Sequence, residues 1–146
     1  MKKLLLVIFS LLIAIAMSSC DVLKLADDRA DESAIFSFVT ENENLLNECI
    51  KINDFKSLDN VKIIREIEPE QGFVEFSCGG AGLGSATSYC GFYYSENDDM
   101  TEIWCAPKSE PLIKSGSGYM WQENNGDNTY YTEKICEHFY YYEASF

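Results

Sequence analysis

The sequence has a single histidine, His138, and its cysteines stand without close pairs, so it contains no readable zinc site. His138 sits beside Glu137 at a turn signal, and no nucleophile and orienting group accompany it in a recognisable pattern. It reads as a solvated residue rather than a general base. Basic residues are few: 11 Lys and Arg face 24 Asp and Glu, for a net charge of −13. Without cations to neutralise phosphates, nucleic acid is excluded as a partner, and adsorption of the protein surface to anionic lipid is repulsive. The most extended apolar stretch, Leu4 to Ala16, covers 13 residues and is broken only by Ser10. That is short of the roughly 20 needed to cross a bilayer as a helix. Nothing recurs at a fixed period, so no repeat architecture is expected.

What the sequence does have begins at its N-terminus. Lys2 and Lys3 precede the apolar stretch, and Met17-Ser18-Ser19-Cys20 follows it. This arrangement resembles the bacterial lipoprotein signal, in which an aliphatic residue and two small residues precede a lipidated cysteine. The resemblance implies cleavage between Ser19 and Cys20, diacylglycerol on the Cys20 thiol, and a membrane anchor of acyl chains such as palmitate. Two or more chains hold stably where one holds marginally. Cleavage after Ala14-Ile15-Ala16 is the alternative, and would leave Cys20 an ordinary cysteine. The implied organisation is a signal peptide over 1–19, a lipidated cysteine and tether over 20–32, and one domain over 33–146. The protein would face outside the cytoplasm from the cell membrane or an outer envelope layer. Removing residues 1–19 leaves 9 basic and 24 acidic residues, a net charge of 9 − 24 = −15. That charge favours a basic protein or peptide as partner.

Beyond Cys20 lie Cys49, Cys78, Cys90, Cys105 and Cys136. Export permits disulfides, and an odd number leaves at least one thiol unpaired. The expected pairs are Cys78 with Cys90, which flank a glycine-rich run, and Cys105 with Cys136. Five free thiols are the alternative.

Asp21 to Glu32 is charged, with little to bury, and reads as the tether. Ile35, Phe38, Val39, Leu45, Leu46, Cys49, Ile50 and Ile52 recur at spacings of three and four, which predicts an amphipathic helix. Asp31 or Ser33 is its expected cap and Asn53-Asp54 its stop. From Val61 the pattern changes to short strands between turns. Val61–Ile67 is expected to pair with Phe73–Cys78, and Tyr89–Ser95 to precede Thr101–Cys105. Tyr119–Glu123 is expected to form a hairpin with Asn128–Ile135 across Asn124-Asn125-Gly126-Asp127, and Phe139–Ser145 closes the chain. The connections are too short for parallel crossovers. The fold class is therefore α+β: one N-terminal amphipathic helix on a five- to six-stranded antiparallel sheet, a meander. Its outline is similar to cystatin-like or nuclear-transport-factor-like sheets, an architectural analogy that carries no functional residues.

Gly79-Gly80-Ala81-Gly82-Leu83-Gly84-Ser85 opens no helix, so it reads as a hairpin loop rather than a phosphate cradle. Glu96 to Glu102 and Asn124 to Asn128 miss the spacing of a calcium loop and suit tight turns. No metal, cofactor or catalytic residue is assigned. Tyr and Phe crowd three strands, and alternation sends them to both faces of the sheet. One face packs on the helix; the other would expose Tyr93, Tyr131 and Tyr141 as a binding surface. The expected function is a non-enzymatic, surface-tethered binding or inhibitor module. A small hydrolase with an unrecognised site and a structural envelope component are the alternatives.

Overall fold

The structure is a computed structural model that describes residues 27–83 and 86–146. The expected signal peptide and lipid-attachment site, with Ser19 and Cys20, lie outside the described residues. Helix α1 (Glu32–Ile52) and a short 3-10 turn (Lys56–Leu58) precede seven strands: β1 (Glu66–Pro69), β2 (Phe73–Leu83), β3 (Ala86–Ser95), β4 (Ile113–Ser115), β5 (Gly118–Gln122), β6 (Thr129–Cys136) and β7 (Phe139–Ser145).

Helix α1 forms where the three-and-four spacing predicts it, and it buries Ile35, Val39, Leu46 and Cys49. Its stripe is narrower than the sequence suggests, since Leu45 and Ile52 remain exposed. Asp31 caps the start through its backbone: its carbonyl accepts the N–H groups of Ala34 and Ile35 at 3.0 and 3.1 Å, and its side chain makes no cap bond. The helix stops at Asn53, which adopts a left-handed conformation (φ 50°) and, with Asp54, donates to the last-turn carbonyls of Ile50 and Cys49.

The segment before the helix is folded, which shortens the expected tether. Asp27 bridges Ala81, Asp28 N–H donates to Gly80 O at 3.1 Å, and Ala30 N–H donates to Cys78 O at 3.0 Å. Gly79 makes room for this added rung. Its φ is +116°, and a Cβ there would lie 2.4 Å from Asp28 O.

The sheet is antiparallel, in the order β1-β2-β3-β7-β6-β5-β4. It has seven strands rather than five or six, and two meanders rather than one: β1–β3 from one edge and β4–β7 from the other. They meet where β3 pairs with β7. Three expectations change with this topology. The glycine-rich run continues β2 as a strand past a register shift between Ser77 and Gly80. Only the last two residues of Val61–Ile67 enter β1. Thr101–Cys105 is no strand but part of the 96–112 connection, which carries the chain from β3 to the far edge of the sheet.

The crossing creates a second core. On the helix face, Phe76 and Phe92 stack at 4.5 Å, Phe38 meets Phe92, and Phe36 meets Tyr141. On the opposite face, Ile103, Cys105 and Ala106 of the connection pack against Tyr93, Tyr130, Tyr140, Tyr142 and Ala144. The prevalence of buried Tyr on this second face follows from what covers it. A helix satisfies its own backbone, whereas an irregular segment laid on a sheet needs donors for its carbonyls. Tyr130 donates to Met100 O at 2.9 Å and Tyr140 to Asp98 O at 2.8 Å. Lys108 adds bonds to the carbonyls of Thr101 and Ile103, both at 2.9 Å.

Candidate functional site

The tyrosines expected to form one exposed face do not. Tyr93 and Tyr141 are fully buried, and they lie on opposite sides of the sheet. Tyr131 is half-buried on the helix side, where it meets Tyr141 at 6.3 Å and donates to Glu133 at 2.6 Å. The 96–112 connection and α1 cover the two surfaces that alternation alone would have left open.

The cysteines are likewise sorted by the sheet. The structure holds all five in the described residues in reduced form. Cys78 and Cys90 share the core under α1, whereas Cys105 belongs to the core under the connection and Cys136 packs on the helix side. The sheet thus separates Cys105 from Cys136, and their expected pairing does not fit the fold.

The acidic turn after β3 is used internally. Asp98 holds Lys134, accepts the Tyr140 hydroxyl at 2.8 Å and accepts His138 N–H at 3.0 Å. These donors, Lys134 foremost, pull its carboxyl down to about 2. Glu102 accepts from Ser95 at 2.5 Å and Asn97 at 2.7 Å. His138 occupies the β6–β7 turn, with Nδ1 2.8 Å from Ser95 O.

A different group of side chains forms the most chemically pointed surface. Glu66 and Glu68, two apart on edge strand β1, share a face, and the register sets Glu66 opposite Ser77 and Glu68 opposite Glu75. With Tyr89 and Trp104 they line a cleft of about 260 Å³. Trp104 comes from the 96–112 connection and is half exposed, at 52%. It stacks on Phe146 at 5.7 Å and meets Tyr89 edge-on at 6.5 Å. Glu75 forms the floor, 6% exposed, accepting Trp104 Nε1–H at 2.6 Å and the Tyr142 hydroxyl on its other oxygen. Burial pushes its carboxyl above the usual range, the charges of Glu68 and Glu66 add to that, and the two hydrogen bonds oppose it. None of the four ion pairs among the described residues involves Glu66, Glu68 or Glu75.

A row of carboxylates without protein counter-ions beside two accessible aromatic rings attracts a cation through both its field and the ring faces. The sequence held one signal for it, the alternation Glu66-Ile67-Glu68 against Glu75 in the paired run. Trp104 could not be placed there without knowing where the connection crosses. Comparisons with protein-family models, curated proteins and solved structures return no match to this chain.

Proposed function

We propose that the protein is a lipoprotein anchored through Cys20 at the cell envelope, and that its domain is a non-enzymatic module that holds a basic protein or peptide in the Glu66–Glu68–Glu75–Tyr89–Trp104 cleft. The observation that carries the binding role is the carboxylate row without internal counter-ions, flanked by an exposed indole. A Lys or Arg side chain entering there meets charge from β1 and a π face from Trp104. The net charge steers such a partner toward the domain from a distance. Binding is favoured over hydrolysis because both oxygens of Glu75, the one buried carboxyl among the described residues, already accept protein hydrogen bonds.

Titration of the protein with a lysine- and arginine-rich peptide, followed by tryptophan fluorescence, tests the cleft. Binding should weaken at least tenfold in the Glu66→Gln/Glu68→Gln double variant and fall with added salt. Equal affinity of the double variant, or of a neutral peptide of the same length, would overturn the reading. The anchor is tested separately: Cys20→Ser should move the chain from the membrane to the soluble fraction, and the wild-type mass should carry a diacylglyceryl group.

A further inference from the structure

We propose that Cys78 and Cys90 are a disulfide pair that closes during folding, by exchange with glutathione disulfide or another disulfide oxidant, before residues 27–31 dock over it. Strands β2 and β3 pair Ser77 with Gly91 and Gly80 with Tyr89, so between these rungs Cys78 and Gly79 together face the single residue Cys90. This two-against-one arrangement is a bulge, and both cysteines enter the same core beneath α1. Opposed residues in an antiparallel pair hold their Cβ atoms about 4.5–5.5 Å apart, and a disulfide needs about 3.5–4.5 Å. A local adjustment at the bulge covers the difference.

The other thiols are placed elsewhere. Cys49 lies on α1 with its sulfur 3.2 Å from the Ser57 hydroxyl, and the sheet divides Cys105 from Cys136. Cys105 is the one cysteine of the second core among the described residues.

The order of events follows from what covers the two sulfurs. The Cys90 thiol donates to Ala30 O at 3.7 Å, and Ala30 N–H bonds Cys78 O. Asp27, Arg29, Asp31, Glu32 and Glu143 surround Cys90 in the finished fold, so the seated segment restricts an oxidant's approach to that sulfur. Were the pair still reduced beneath the seated segment, burial would raise Cys90 to about 11 and Cys78 to about 12, which leaves neither a thiolate near neutral pH. Exchange therefore belongs to the stage when the strands have paired and the 27–31 segment has not yet seated.

In the first step, Cys90 gives its proton to solvent and its thiolate attacks one sulfur of glutathione disulfide. A Cys90–glutathione bond forms, and one glutathione thiolate leaves and is protonated. In the second, the Cys78 thiolate attacks the Cys90 sulfur and expels the other glutathione. Two cysteine thiols lose two electrons and two protons, and one glutathione disulfide becomes two thiols.

The test is to reduce and unfold the full chain, refold it in a mixture of reduced and oxidised glutathione, quench in acid, alkylate, and map the peptides without reduction. The expected product is a Cys78–Cys90 linked peptide lacking two hydrogens, with Cys49, Cys105 and Cys136 alkylated. In the native protein that link should resist dithiothreitol until denaturant is added. A Cys78→Ser variant should return Cys90 as an alkylated or glutathionylated peptide. Recovery of Cys78 and Cys90 both alkylated from the refolded wild type, or of either one linked to another cysteine, would overturn the proposal.

Discussion

The indole N–H of Trp104 meets the carboxylate of Glu75 at 2.6 Å, joining the crossing connection to strand β2. Through this bond the cover of the second core and the floor of the acidic cleft become one unit. Whatever positions the connection also positions the cleft.

Tyr142 supplies the other donor to Glu75. Tyr142→Phe leaves that carboxyl with one bond in a nearly closed site, and the loss should be about 1.5–3 kcal/mol, typical of hydrogen bonds to charged groups. Urea denaturation of the two proteins measures it. A loss no greater than the few tenths seen at indifferent surface sites would show that Glu75 does not depend on the hydroxyl.

Glu75 should also give the protein a stability component that favours acid. Its folded carboxyl binds a proton more tightly than the unfolded one, because burial disfavours the charge. The contribution is complete below the ordinary value of about 4.3 and is lost as pH rises through the folded value. Glu75→Gln removes it. Denaturation at a series of pH values should show the wild type gaining on the variant between pH 7 and pH 4; a wild type that loses ground over that range would contradict the assignment.

Asp98 should act with the opposite sign. Lys134, Tyr140 and the His138 amide hold its carboxyl down to about 2, so its stabilisation is present above the ordinary value and lost as pH falls through about 2. Its side chain is 35% exposed, and solvent screening limits the ion-pair contribution to about 1 kcal/mol. Asn tolerates the left-handed backbone at this position (φ 56°). Asp98→Asn should therefore cost about 1 kcal/mol near pH 7, with the gap closing in strong acid. Thermal melts at neutral and acid pH check both parts.

Gly79→Ala should loosen the segment ahead of α1. The positive φ strains any side chain, and the added methyl falls on Asp28 O. A cost of about 2 kcal/mol is expected, with faster hydrogen exchange at Asp28 and Ala30, whose amides bond β2. Unchanged exchange at those two amides would mean that the segment is held by other contacts.

Where the sequence pattern repeats, it located the elements well. The helix follows from its three-and-four spacing, and the β5–β6 hairpin from two short strand runs around the Asn125-Gly126 turn, because both signals are local. The failures come from long-range placement. Gly79, Gly80 and Gly82 look like loop residues, yet they are strand residues that let the 27–30 segment and β3 approach closely. Ile103 and Cys105 alternate like a strand because a connection lying on the sheet also sends alternate residues inward. Tyr93 and Tyr141 belong to opposite cores, a distinction fixed by which segment covers which face. For the same reason, the cleft was only half legible: its glutamates sit in register on neighbouring strands, but its tryptophan arrives from the connection.

The rung that Asp27 makes with Ala81 also sets a radius of action. If Cys20 is moored in lipid as proposed, the seven residue steps from it to Asp27 reach at most about 25 Å. The end of the sheet where β2 turns into β3 would face the membrane, and a partner would have to come down to the lipid surface to be caught.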